Sequence, residues 1–143
     1  MGILDSFKKK KPEETSNKTI VFKAKTVEAY INQGDTYRDQ GNLEDAIKEY
    51  QEALSVRPDS ARAHNGLALI YLDQGKFEDA EKECDKALKI NPNYEDAHFN
   101  LAFAYYKQEW YGYAAREYKE VIRLNPKNAA AKQGLADAIK KLR

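Results

Sequence analysis

A single cysteine, Cys84, excludes any disulfide framework within the chain and fits a reducing, cytoplasmic setting. Prolines are scarce as well, and three of the four, Pro58, Pro92 and Pro126, recur at one interval. No uninterrupted apolar run approaches the roughly 18 residues that a bilayer crossing needs, so no membrane-spanning segment is expected. The N-terminus lacks the apolar stretch and cleavage site of a secretory signal, and nothing in it suggests export. Neither sign of charge dominates: the net charge is +1. Its distribution is uneven, because residues 1–25 carry seven lysines against three acids, a net +4, which leaves −3 for the remainder.

Catalytic patterns are missing too. No nucleophile beside a base and no glycine-rich phosphate loop occurs at a meaningful spacing, so the chain reads as a non-enzyme without a cofactor. The two histidines, His64 and His98, stand one repeat apart, roughly 9–10 Å on stacked helices, too far to share a zinc ion. A packing role is expected of both. Lys8 to Lys11 raise a nucleic-acid reading, but aromatic interleaving is confined to Phe7 and the body is mildly acidic, so a nucleic-acid partner is not expected.

What is present is one pattern written three times. Gln40-Gly41, Gln74-Gly75 and Gln108-Glu109 recur 34 residues apart, as do Ala46, Ala80 and Ala114. A strict period of this length marks a supersecondary unit that cannot bury its apolar face alone and is completed by stacking. In the first unit Val27, Tyr30, Ile31, Tyr37, Leu43, Ala46, Ile47, Tyr50 and Leu54 follow helical spacing, broken at Gln40-Gly41-Asn42. Each unit therefore reads as helix, tight turn, helix. The second pair is expected over Ala61–Gln74 and Phe77–Ile90, the third over Glu95–Gln108 and Tyr111–Leu124, and a lone helix over Ala129–Leu142. Thr26 is expected to cap the first helix N-terminus, and Pro58 with Asp59-Ser60 to end the second helix and cap the next. Glu109 stands where Gly41 and Gly75 are expected to be left-handed, at a cost on the order of 1 kcal/mol to a non-glycine residue. Trp110 beside it, where Asn42 and Lys76 are polar, is expected to be partly exposed, either packing over the turn or meeting a partner.

These residues resemble the tetratricopeptide repeat family. Its places are filled by Tyr30, Gly34, Tyr37, Ala46, Tyr50, Ala53 and Pro58 in the first unit, and by His64, Leu67, Ala68, Tyr71, Ala80, Cys84, Ala87 and Pro92 in the second. In the third they are His98, Leu101, Ala102, Tyr105, Ala114, Tyr118, Val121 and Pro126. The resemblance implies an all-α fold: a right-handed superhelical solenoid of three antiparallel helix pairs (27–60, 61–94, 95–128) plus a capping helix over 129–142. This domain, 27–143, follows a basic tail, 1–26. Cys84 takes an aromatic place in the core and is expected to be a buried, inert thiol.

The resemblance also implies a non-enzymatic interaction module or adaptor that holds a protein segment in a concave groove lined by the first helix of each pair. Helical geometry turns Glu28, Ile31, Asn32, Asp35, Arg38 and Asp39 toward that groove, followed by Arg62, Asn65, Leu69, Leu72 and Asp73. Phe99, Asn100, Phe103, Tyr106 and Lys107 continue it, and Gln133, Asp137 and Lys140 end it. Leu69, Leu72, Phe99, Phe103 and Tyr106 would form an apolar patch of the kind that marks an interaction site. Asn32, Asn65 and Asn100 supply amides beside it, the last two suited to an extended backbone, and Asp35 an acid. A branch of the family grips acidic chaperone C-termini with two Lys, two Asn and an Arg. Here those places hold Ile31, Asp35, Gly66, Asp96 and Asn100, so the acidic chaperone tail is not the expected partner. An extended apolar segment, with a basic residue, is.

The tail leaves an alternative open. Met1-Gly2-Ile3-Leu4-Asp5-Ser6 fits the loose myristoylation pattern, and Lys8 to Lys11 would add electrostatic attachment to a membrane surface; the bland reading is an unmodified polar leader. Ile20-Val21-Phe22 is a short β-prone cluster without a partner strand, expected to pack on the first repeat, to extend its first helix or to lie along a groove, its own or another copy's. If the groove belongs to another copy, the chain is a self-assembling scaffold that uses its tail or its capping helix.

Overall fold

The computed structural model describes residues 25–143. The leader, the lysine run and Ile20-Val21-Phe22 lie outside the described residues. Within them seven helices follow one another: α1 (Val27–Asp39), α2 (Leu43–Val56), α3 (Ala61–Asp73), α4 (Phe77–Ile90), α5 (Glu95–Lys107), α6 (Tyr111–Leu124) and α7 (Ala129–Leu142). α1, α3 and α5 each pack on the even helix that follows, α7 packs on α6 before it, and the odd helices touch in sequence, α1 on α3, α3 on α5 and α5 on α7. The result is an all-α solenoid with the odd helices along one face.

Local chemistry sets the boundaries. The Thr26 hydroxyl accepts from the Ala29 amide at 3.0 Å, Ser60 from Ala63 at 3.2 Å and the Asn128 side chain from Ala131 at 2.9 Å. Each satisfies an amide that the first helical turn cannot pair. At the other end, the odd helices close with one repeated motif. The Asn42 amide donates to Tyr37 O and Gly41 to Arg38 O; Lys76 and Gly75 repeat this on Tyr71 and Leu72, and Trp110 and Glu109 on Tyr105 and Tyr106. That closure needs a left-handed residue just past the helix, and Gly41 (φ 78°), Gly75 (φ 73°) and Glu109 (φ 65°) supply it. Glu109 adopts the conformation its position demands despite its side chain. Gln74 and Gln108 are helix caps, one residue beyond the helices expected to contain them.

The core is built from wedges between repeats. Tyr50, fully buried on α2, lies against Gly34 of α1 and Gly66 of α3: a Cβ at Gly66 would stand 2.5 Å from the ring and one at Gly34 2.8 Å. Its hydroxyl donates to the Asp35 carboxylate. Tyr118 on α6 repeats the arrangement, with a Cβ at Gly134 of α7 falling 2.5 Å from its ring, and it meets Phe99 edge-on at 5.6 Å. Tyr37, Tyr71 and Tyr105 are half-buried against the same clusters. Burying an aromatic ring of this size stabilises a core by about 3–5 kcal/mol relative to alanine. Cys84, at the corresponding place on α4, is fully buried, and burial, followed by the charges of Asp85 and Glu83, pushes its thiol well above the ordinary range. It is a packing residue.

Candidate functional site

The odd helices enclose two adjoining hollows. One, of about 350 Å³, is lined by Arg38, Asn65, Leu69, Asp96, Phe99, Asn100, Asn128 and Ala130. The second, of about 310 Å³, is lined by Asp35, Arg38, Asp39, Arg62, Asn65, Gly66, Leu69, Tyr94 and Asp96. Arg38, Asn65, Leu69 and Asp96 belong to both, so the two are parts of one trough that runs across α1, α3 and α5. The candidate residues Asp35, Asn65, Leu69, Phe99 and Asn100 line it. Leu72, Phe103 and Tyr106 line neither hollow. All three are half-buried farther along their helices: Phe103 lies under the Lys107 ammonium at 5.5 Å, and Tyr106 meets Tyr111 edge-on at 5.2 Å. The apolar part of the trough is therefore Leu69 and Phe99, a smaller patch than helical periodicity alone implies.

Three polar side chains sit differently from expectation. Asn65 and Asn100, read as open amides, are buried at 5% and 7% exposure, and Asn100 Nδ2 donates to Asn65 Oδ1 at 2.8 Å. Asn65 Nδ2 in turn points at the Tyr94 hydroxyl, 3.5 Å away. The pair forms the trough floor, and a buried amide is held there because its partner is another amide. Asp35, read as an open acid, accepts from the Tyr50 hydroxyl and from Arg62 Nη2 at 2.8 Å; the same Arg62 nitrogen donates to Asn32 Oδ1 at 3.1 Å. Asn32 and Asp35 thus hold Arg62 in place rather than waiting for a partner. Ile31, placed in the groove by spacing, is buried in the first core cluster because its helix is rotated to meet α2 and α3.

Tyr94 and Asn128 help to define the trough without having been singled out. Tyr94 occupies the place of the capping residues Thr26, Ser60 and Asn128, and it makes no capping bond. Its hydroxyl goes into the trough, where burial, followed by the Asp96 charge, raises its pKa. An aromatic in a capping series was the available signal. Asn128 also lines the trough, and its Nδ2 donates to Glu95 Oε1 at 2.9 Å, beside Asn125 Nδ2 at 3.0 Å. Those two bonds hold the Glu95 carboxyl below its usual range. Arg38 projects into both hollows with its Nε buried and unpaired, and its Nη2 lies 3.7 Å from Asp39. Asp96 makes no ion pair among the described residues.

The histidines have structural employment. His64 Nδ1 lies 2.7 Å from Glu83 Oε2 and its Nε2 3.1 Å from Pro58 O; His98 repeats this with Glu117 at 2.6 Å and Pro92 O at 2.7 Å. Each ties the two helices of its repeat to the loop before them, and both ring nitrogens are occupied by protein oxygens. Among the described residues no group of three or more metal-ligating side chains gathers, and no helix is long and apolar enough to cross a membrane.

Comparison with known proteins agrees with this architecture. Among curated proteins, no match to the chain was found. In solved structures the first tetratricopeptide domain of Spaghetti (RPAP3), bound to the HSP90 peptide SRMEEVD, is 24% identical, with a TM-score of 0.80 over 83% of this chain and 94% of that one. The first such domain of human RPAP3 is 25% identical, with a TM-score of 0.79 over 82% and 92%. The second human RPAP3 domain, in complex with the HSP70 peptide SGPTIEEVD, is 25% identical, with a TM-score of 0.72 over 76% and 91%. Family models described as tetratricopeptide repeat match residues 31–95 and 95–128, a nearly unbroken run through the three helix pairs. The chain belongs to the tetratricopeptide repeat family.

Proposed function

We propose that the chain is a non-enzymatic adaptor whose repeat domain, residues 27–143, binds an extended protein segment in the trough between α1, α3 and α5. The observation that carries this reading is the pair of adjoining hollows sharing Arg38, Asn65, Leu69 and Asp96. An extended segment suits such a trough: the Asn65–Asn100 amide pair forms its floor, while Leu69 and Phe99 receive an apolar side chain. Similar domains that carry HSP90 and HSP70 peptides support peptide binding as the general role. For this chain we infer a preference for an apolar segment with a basic residue over an acidic tail. Ile31 is buried and Gly66 lies against Tyr50, so neither supplies a cation for a terminal carboxylate; Asp96 places an acid in both hollows. A cytoplasmic setting accords with the single cysteine.

Fluorescence anisotropy tests this with the full chain and two labelled heptapeptides, the acidic SRMEEVD and one of alternating leucine and lysine. The leucine-lysine peptide is expected to bind more tightly, and Leu69→Ser to weaken it about ten-fold. Tighter binding of the acidic peptide overturns the preference, and no binding of either overturns the trough as the site.

One observation favours a second reading. Ile139 and Leu142 are exposed large apolar residues on α7, at the open end of the solenoid, which suits docking of another copy on the capping helix. Light scattering across a concentration series tests it; a constant monomer mass sinks it. Peripheral attachment of the lysine-rich leader to membranes is tested by sedimentation with anionic liposomes.

A further inference from the structure

The third repeat departs from the other two at its turn, and the departures gather on one edge of the molecule. Where α2 begins Leu43-Glu44-Asp45 and α4 begins Phe77-Glu78-Asp79, α6 begins Tyr111-Gly112-Tyr113, preceded by Trp110. Each change works against folding. Two acids that complement the helix N-terminus are gone, a glycine enters the first turn, and Glu109 takes the left-handed place of a glycine. Trp110, 55% exposed, stands in the place of Asn42 and Lys76, and Tyr113, 46% exposed, in that of Asp45 and Asp79. Packing accounts for part of this: Tyr113 lies 5.4 Å from Tyr105 and Trp110 5.6 Å from Tyr113. It does not account for an indole left more than half open.

The ground beside that indole is acidic. Gln108 Nε2 donates to Glu81 Oε2 at 3.2 Å and to Ala104 O at 3.1 Å, which fastens the third turn against α4. A depression of about 280 Å³ results, lined by Glu78, Glu81, Lys82, Gln108 and Trp110. A second, of about 310 Å³, continues from it past Glu78 and Gln108 to Gly75, Lys76, Phe77 and Asp79. Glu78, Asp79 and Glu81 make no ion pair among the described residues, and they outnumber Lys76 and Lys82. The same field is felt nearby: burial, followed by the charges of Glu81 and Asp85, pushes the Tyr105 hydroxyl up to about 12.

We propose that this edge, formed by the turns of the second and third repeats, is a second docking site, separate from the trough, for an extended partner segment carrying arginine. Charge complementarity selects the occupant. A guanidinium can lie flat on the open face of Trp110 while its fork donates to the Glu78 or Glu81 carboxylate, a combination of stacking and paired hydrogen bonds that an ammonium reproduces only in part. An acidic segment meets the carboxylates of Glu78, Asp79 and Glu81 and is repelled.

Trp110 is the only tryptophan of the chain, so its fluorescence reports this site alone among candidate surfaces. The full chain is titrated with an end-capped hexapeptide of alternating leucine and arginine, and with versions in which arginine is replaced by lysine, by citrulline or by glutamate. The arginine peptide is expected to give a saturable change, the lysine peptide a weaker one, the citrulline peptide binding about ten-fold weaker still, and the glutamate peptide none. Glu78→Gln with Glu81→Gln is expected to weaken the arginine peptide about ten-fold, with the far-ultraviolet circular dichroism unchanged. Absence of a saturable change, equal binding of arginine and citrulline peptides, or indifference to the double substitution overturns the proposal. Anisotropy on the Leu69→Ser variant reads the trough independently, so either site can fail while the other stands.

Discussion

The junctions between repeats are built in two ways. At the first and last, a tyrosine of the even helix is wedged against a glycine of the next odd helix: Tyr50 on Gly66, and Tyr118 on Gly134. At the central junction both partners have changed: Cys84 stands in the place of the tyrosine, and Asn100 in that of the glycine. The exchanges match in size. A ring needs a neighbour without a Cβ, whereas a thiol leaves room for an amide. That amide is the one bonded to Asn65 on the trough floor. The outer junctions spend their volume on an apolar wedge, and the central junction spends it on a polar pair facing the candidate binding surface. Packing and function are thus divided among junctions of nominally equal repeats.

The comparison can be broken most severely at the wedge. Tyr50→Ala removes a fully buried ring and its bond to Asp35, and is expected to cost about 3–5 kcal/mol in denaturant unfolding. Cys84→Ala, at the matching central place, is expected to cost only about 1 kcal/mol. Equal losses would erase the distinction. Gly66→Ala is the next largest. Its new Cβ meets the Tyr50 ring at 2.5 Å, so overpacking of about 1–3 kcal/mol is expected, while Asn100→Ala introduces no clash but leaves the buried Asn65 Oδ1 unpaired, and is expected to cost about 1–3 kcal/mol and to weaken peptide binding as well. Glu109→Gly, which relieves the left-handed residue of the third turn, is expected to raise stability by about 1 kcal/mol, whereas the reverse change, Gly75→Glu, lowers it similarly.

A further effect is one of pH. Burial, the largest cause, pushes the Tyr118 hydroxyl up to about 12, and burial together with the charges of Glu81 and Asp85 brings Tyr105 to about 12 as well. Both hydroxyls hold their protons more tightly in the fold than in the unfolded chain, where they ionise near 10. The stability they contribute is complete below pH 10 and is lost as pH rises through 12. Chemical denaturation across that window should show it, with Tyr118→Phe flattening the slope. An unchanged slope would show that Tyr118 ionises alike in both states.

Much of this architecture is legible along the chain, because it depends on local spacing. The 34-residue period, the caps at Thr26 and Asp59-Ser60 and the turn glycines fix the helices from Ala61 onward to within a residue, and even the left-handed Glu109 follows from Gly41 and Gly75. The trough is less legible. Ile31 belongs to the core rather than the groove because a helix's rotation is set by two neighbours, not by its own periodicity. Arg62 reaches back to Asn32 and Asp35, and Asn100 to Asn65, across about one repeat; such bonds depend on the offset between repeats, which no single helix encodes. Tyr94 was visible only as an exception in a series of caps.

The central claim is that a protein segment lies on the amide floor between α3 and α5. The most direct test is a two-dimensional nitrogen–proton spectrum of the full chain, with the side-chain amides assigned, titrated with the leucine-lysine heptapeptide. The account predicts that the Asn65 and Asn100 side-chain resonances shift earliest and farthest, with backbone shifts confined to the odd helices. Shifts centred on α2, α4 and α6, with both asparagine side chains unmoved, would contradict it.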